Sequence, residues 1–193
     1  MSSRQLFLVA GHDLAKDPGA IAYDGTTEAS LTVELRDKVL HLLAKQPGKW
    51  QGQTCNWLEG TTVRDKDSAN LRKTIDDINA VAGREDFLLD IHFNFNADFA
   101  FGTEVFYAAT TIPKNKQHAV DLCFMVAKAG GFKARGAKPD TMTAPGALGI
   151  LRETTCPALL LEVCFLNKED LYKYRTNIDA IAQAIANFLN QFA

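Results

Sequence analysis

No stretch of this chain approaches the roughly 20 consecutive apolar residues that cross a bilayer as a helix. Its apolar runs, such as LFLVA near the start and ALLL before residue 162, are of strand length, so a helical membrane span is excluded. Basic charge is not in excess either. The 21 Lys and Arg stand against 23 Asp and Glu, a formal charge of −2, and the electrostatic footprint of a nucleic-acid partner is missing. Cysteine is scarce, and Cys55, Cys123, Cys156 and Cys164 form no C-x-x-C pair. They read as small buried hydrophobes of a chain made in a reducing compartment, not as a disulfide framework. Repeats, low-complexity tracts and linkers are lacking, so the 193 residues are expected to form one domain with a full core. The opening MSSRQLFLVAGHD holds only a short apolar run that leads straight into a polar motif. It reads as a first strand and not as a signal peptide, which implies synthesis in the cytoplasm without a secretory leader.

What is present is an alternation of strands and helices. QLFLVA is apolar throughout, like a strand covered on both faces. After a loop rich in Asp, Gly and Pro, residues 28–45 place Leu31, Leu35, Val39 and Leu42 on one helical face, and Pro47-Gly48 ends that helix. Residues 52–58 read as a returning strand. Ser68 caps a second helix with Leu71, Ile75, Ile78 and Ala82 inward, stopping at Gly83. Strands are expected at 87–92 and 102–108. Pro113 opens a helix to Gly130-Gly131 that buries Ala119, Leu122, Val126 and Ala129. A loop to Gly149, a short strand at 150–151, a buried strand at 158–163 and a long C-terminal helix complete the pattern. The fold class is α/β: a single domain, with a mostly parallel central sheet, one antiparallel strand, and helices on both faces.

Four polar residues fall where these elements begin or end: His12, Glu28, His92 and Glu162. In open α/β sheets ligands bind beyond the carboxyl ends of the strands, where His12, His92 and Glu162 are expected. Glu28 belongs to the first turn of the first helix, behind a Thr27 cap, where the helix dipole favours its ionised form. Two imidazoles and a carboxylate are the usual protein share of a catalytic zinc shell, and a second carboxylate can serve as general base. Each residue alone has an ordinary reading as a loop histidine or a surface glutamate. Glu162 is harder to dismiss, because it interrupts Leu159, Leu160, Leu161 and Val163, where an unpaired carboxylate costs several kcal/mol or raises its pKa.

The ordered set of segments VAGHDLAKDPGAIAYDGTTEASL, DIHFN, GTEVFY and ILRETTCPALLLEVCFLN resembles the zinc-dependent N-acetylmuramoyl-L-alanine amidases with a single-domain α/β core, from about Gln5 to the C-terminus. The resemblance implies one Zn2+ per chain held by His12, Glu28 and His92, with Glu162 as catalytic base and acid. It implies peptidoglycan as the partner, cut at the amide between the lactyl group of N-acetylmuramic acid and L-alanine. Asn94 and Arg152 lie beside motif residues and are candidates for substrate binding, and Arg135 matches a recurrent Arg-Gly without a derivable role. Asp13, Asp90 and Cys164 depart from the residues common in the family, and Cys164 reads as a packing thiol. The segment between GTEVFY and the next helix is only AATTIP, too short for the site-blocking helix of some family members. With no leader and no wall-binding repeats, the expectation is a monomeric, lysin-type enzyme that reaches the cell wall by release or by delivery through another system. A zinc carboxypeptidase acting on the stem peptide, or an inactive wall-binding module, are the alternatives.

Overall fold

In a computed structural model that describes residues 5–45, 68–95 and 100–191, the first apolar run forms strand β1 (Leu6–Ala10), buried at every position. The strand expected at residues 52–58 and the Pro47-Gly48 stop lie outside the described residues. Helix α1 spans Glu28–Lys45. The Thr27 hydroxyl accepts from the Ser30 N–H at 3.3 Å, a cap that sets the first turn. The helix buries Leu31, Leu35, Val39 and Leu43, while Leu42 is only partly covered. Full burial of each such side chain contributes about 1.5–3 kcal/mol, so the inward stripe matters more than helix propensity.

Helix α2 (Ser68–Asn79) points Ile75 and Ile78 inward. Leu71, expected inward, is 36% exposed and faces a cleft instead, and Ala82 lies past the helix end and is half-buried. Strand β2 is Phe87–Asn94 and β3 is Thr103–Tyr107. Helix α3 (Pro113–Gly130) starts with proline in its first turn and ends at Gly131, whose φ of 69° closes it. Residues 108–112 are all that joins it to β3. Strand β5 is Ala158–Phe165. The last helix, Lys168–Leu189, is labelled α5 below, since a short helix α4 precedes β5 at Gly149–Arg152. Asn167 caps α5 by accepting from the Asp170 N–H at 2.9 Å. The buried Asp170 carboxylate then accepts from Gly102 N–H (2.7 Å) and Phe165 N–H (3.2 Å), tying the approach to β3 to the end of β5.

Two expectations are corrected. The strand at 150–151 is part of α4, because Ile150 and Leu151 close a second, smaller core against Phe7, Phe106 and Leu160. Two apolar residues carry no period, so strand and helix were indistinguishable there. The loop expected before Gly149 contains a further strand, β4 (Ala134–Pro139). Its residues are all half-buried, and Gly136 at φ 84° sits beside a register shift between Thr103 and Val105. An edge strand with a bulge and no apolar alternation leaves little trace in a sequence.

The sheet order is β1-β2-β5-β3-β4, parallel except where β5 meets β3. The carboxyl ends of β1, β2 and β5 therefore share one edge, and the amino end of β3 arrives there beside them. Helices α1, α3 and α5 cover one face with the larger core, which includes Leu35, Leu122 and Tyr174. Residues of α2 and α4 cover the other face, which carries Phe7, Leu88 and Leu160.

Candidate metal centre and active-site cleft

A cleft of about 780 Å³ opens at the carboxyl edge, on the face covered by α2 and α4. His12, Glu28, His92, Asn94 and Glu162 all line it. His12 follows β1 with φ 67°, alone among the described non-glycine residues in that region, a conformation held by its surroundings. The hairpin after it does the holding. Asp13 N–H donates to Asp17 O (2.8 Å), Asp17 N–H returns to Asp13 O (3.2 Å), and the Asp13 carboxylate accepts from Ala15 and Lys16 N–H. Asp13 thus shapes the loop.

His12 Nδ1 lies 2.9 Å from Asp17 Oδ2, and His12 Nε2 lies 3.1 Å from Glu28 Oε2. Glu28 meets the second histidine with its other oxygen, Oε1, 3.0 Å from His92 Nδ1. Backbone N–H groups of Ala20 and Phe93 donate to the same carboxylate at 3.1 and 3.0 Å. One ligand atom from each of His12, Glu28 and His92 falls within 4.8 Å of the others, a triangle of nitrogen and oxygen donors suited to a divalent ion. Burial pushes Glu28 toward protonation, but hydrogen bonds from His12 and His92 outweigh it and hold the carboxyl well below its ordinary range. An ionised glutamate is what a metal requires of that position.

Glycine shapes this seat. A Cβ on Gly11 would collide with the His92 ring, and one on Gly19, at φ 67°, would press on His12 and Glu28. Gly11→Ala is expected to push His92 off Glu28, destabilise the fold by about 1–3 kcal/mol as overpacking does, and weaken any divalent-metal binding at the candidate triangle. Thermal unfolding and a zinc titration of the variant check this; unchanged affinity contradicts the described seat for His92.

His92 and Glu162 are register partners on β2 and β5, so Glu162 stands directly beside the triangle. Its Oε2 is sealed from solvent with no hydrogen-bond partner. Burial pushes this carboxyl up to about 8; His92 opposes the shift, while Glu28, Glu104 and Asp90 add to it. On its other side Glu162 pairs with Glu104 of β3. Glu104, unlike Glu162, is well supplied with donors: Arg135 Nε (2.7 Å), Lys138 Nζ and Asn94 Nδ2 (2.7 Å) all donate to its carboxylate. Asn94 therefore belongs to the cleft wall with its amide engaged by Glu104, and Arg135 to a half-buried ion cluster around that buried carboxylate, its guanidinium 4.9 Å from the Phe165 ring centre.

Arg152 is not among the residues that line the cleft. Its Nε and Nη2 both donate to Asp140, whose carboxylate also accepts from Ala109 N–H (2.9 Å) and Leu148 N–H (3.1 Å). This clamp anchors the loop that supplies Thr143, Pro145 and Leu148 to the cleft rim. Arg152 above all, with the backbone donors, holds the Asp140 carboxyl down to about 2. Its stabilising effect is thus complete above an ordinary carboxyl pKa and is lost as pH falls through about 2. Asp140→Asn is expected to lower stability at neutral pH by about 2–3 kcal/mol, the scale of lost charge-assisted bonds. The gap from wild type should close between about pH 4 and pH 2 in denaturant melts; a gap independent of pH contradicts the clamp.

Two participants escaped the sequence reading. Asp17 sits in the DPGA segment, and its partnership with His12 depends on the hairpin. Gly11 precedes His12, and its role depends on β2 packing beside β1. Cys164 is buried, with its Sγ 3.9 Å from Asp170 O, in the larger core and not in the cleft.

A family model described as N-acetylmuramoyl-L-alanine amidase matches residues 6–191. No curated protein matches the chain. Among solved structures, an N-acetylmuramoyl-L-alanine amidase from Clostridium difficile 630 aligns with a TM-score of 0.76 at 20% identity, covering 98% of this chain and 96% of that one. The catalytic domain of CwlV, an N-acetylmuramoyl-L-alanine amidase from Bacillus (Paenibacillus) polymyxa var. colistinus, aligns at 0.74 and 24% identity, covering 98% and 97%. The catalytic domain of the CD27L endolysin, targeting Clostridia difficile, aligns at 0.71 and 22%, covering 96% of each chain. At these identities the structures speak for the fold.

Proposed function

The chain belongs to the N-acetylmuramoyl-L-alanine amidase family, and from that premise we infer that it is a zinc enzyme whose metal rests on His12, Glu28 and His92 and whose general base is Glu162. It is a hydrolase of amide bonds in peptidoglycan, endolysin-like in fold. The bond cut is the one joining the lactyl group of N-acetylmuramic acid to L-alanine. The observation that carries the reading is the pairing of two histidines and an ionised glutamate with a second, desolvated glutamate one strand away.

When bound, zinc supplies a Lewis acid that acidifies water, polarises the scissile carbonyl and lowers the pKa of a neighbouring carboxyl. Glu162 takes the proton from the attacking water and later hands it to the alanine nitrogen, which leaves as a free amine. The Glu162 Oε2, free of hydrogen bonds, has a lone pair to spare for this transfer. Asp17 holds the His12 ring in place, and the apolar cleft walls at Leu71, Phe106 and Leu160 limit bulk water around the carboxylate. Among the described residues no Arg or Lys lines the cleft, so nothing there clamps a terminal carboxylate as a carboxypeptidase requires. That favours an internal amide as the substrate bond.

Digestion of purified peptidoglycan followed by mass spectrometry tests the reading. The expected products are free stem peptides with an N-terminal alanine alongside intact glycan strands. Peptides shortened at their carboxyl ends, with the lactyl amide intact, would overturn it in favour of a carboxypeptidase.

A further inference from the structure

Asp90 has no part in the chemistry derived above, yet its position is a costly one. It lies on β2 two residues before His92, so both side chains leave the same face of the strand. Its register partners are Val9 on β1 and Leu160 on β5, both buried and apolar. Asp90 is 5% exposed, and its Oδ1 is sealed with no hydrogen-bond partner. An apolar side chain would fill this slot between Val9 and Leu160 without desolvating a carboxylate, so packing does not account for it. What does is the second oxygen: Oδ2 lies 3.3 Å from His92 Nε2.

The His92 ring therefore bridges two carboxylates, Asp90 at Nε2 and Glu28 at Nδ1. Only Nδ1 faces the glutamate that His12 also faces. An imidazole that ligates a metal through one nitrogen keeps its proton on the other, and an acceptor there fixes both tautomer and ring angle. We propose that Asp90 is a positioning residue for metal binding: it accepts the Nε2–H of His92 and so presents the Nδ1 lone pair beside Glu28 to a divalent cation. This rests on the reading of His12, Glu28 and His92 as the metal shell. Asp17 treats His12 in the opposite sense, holding Nδ1 and leaving Nε2 toward Glu28. The two histidines thus meet the site through different ring nitrogens, each set by its own carboxylate.

The test combines long-range 1H–15N spectra of the zinc-loaded, 15N-histidine-labelled protein with zinc affinities measured by chelator competition. In wild type, His92 is expected to carry zinc on Nδ1 and a proton on Nε2, and His12 the reverse. Asp90→Ala is expected to bind zinc about 10–100-fold more weakly. Asp90→Asn, whose amide oxygen still accepts, falls between. Zinc on Nε2 of His92, or wild-type affinity in Asp90→Ala, overturns the role of Asp90 and leaves the metal shell standing. A wild-type spectrum with zinc on neither His12 nor His92 overturns the shell and this inference with it. The wild-type spectrum requires no substitution, so a variant that fails to fold does not decide the outcome.

Discussion

Glu162→Gln is expected to keep its fold and its zinc while turnover on peptidoglycan falls by about 10² or more, the usual scale for general acid–base work. The amide preserves the volume of the side chain but cannot accept a proton. Nothing in the described structure bonds to Glu162 Oε2, so the substitution breaks no hydrogen bond there. It also relieves the repulsion among Glu162, Glu28, Glu104 and Asp90 that raises this carboxyl. Stability should therefore hold or rise, an outcome that separates a catalytic carboxylate from a structural one. The pH profile carries a second sign. A base must be deprotonated, so wild-type activity declines as pH falls through the pKa of Glu162, and this acid limb should vanish from the residual activity of the variant. Zinc content, unfolding midpoint and kcat measured on one preparation decide the matter; loss of metal from Glu162→Gln would reassign the residue to the shell.

Removing the metal is the second large effect. A chelator is expected to abolish hydrolysis, with recovery on adding zinc. His12→Ala and His92→Ala should each lose most bound metal, because three protein ligands leave little redundancy. Glu28→Gln behaves differently from Glu162→Gln. It removes charge from the carboxylate that both histidines face, so zinc binding weakens and excess zinc partly restores activity. Excess zinc should do nothing for Glu162→Gln. Full metal content in both histidine variants, measured by atomic emission on dialysed protein, would contradict the assigned ligands.

Strands β1, β2 and β5 were legible because burial on both faces leaves near-continuous apolar runs, and the polar residues that end or interrupt such runs stand out. His12, His92 and Glu162 stand out as candidates that way, and Glu28 by its place at a helix start. β4 was not legible, since a half-buried, bulged edge strand has no period to read. Leu71 shows a related failure: helical spacing marks it as core, but the residue ends on the cleft wall, 36% exposed. The supporting contacts were hidden for another reason. The hold of Asp17 on His12 depends on how the loop between them folds back, while the seat that Gly11 makes for His92 and the ion cluster at Glu104 arise from chain segments distant in sequence that meet in space. Arg152 shows the same limit: adjacency to a motif suggested substrate binding, whereas its guanidinium is engaged by Asp140, twelve residues earlier. Helix–sheet patterning is a local property, while the shell around a site is a tertiary one.

The proposed centre holds one zinc ion on His12, Glu28 and His92 with Glu162 beside it. Crystals of the zinc-loaded protein measured on both sides of the zinc absorption edge test this most directly. A single anomalous peak per chain is expected, at roughly 2 Å from His12 Nε2, His92 Nδ1 and a Glu28 oxygen, with Glu162 next to it but not bonded to it. A peak bonded to Glu162 in place of Glu28, or no peak between the two histidines, would contradict it.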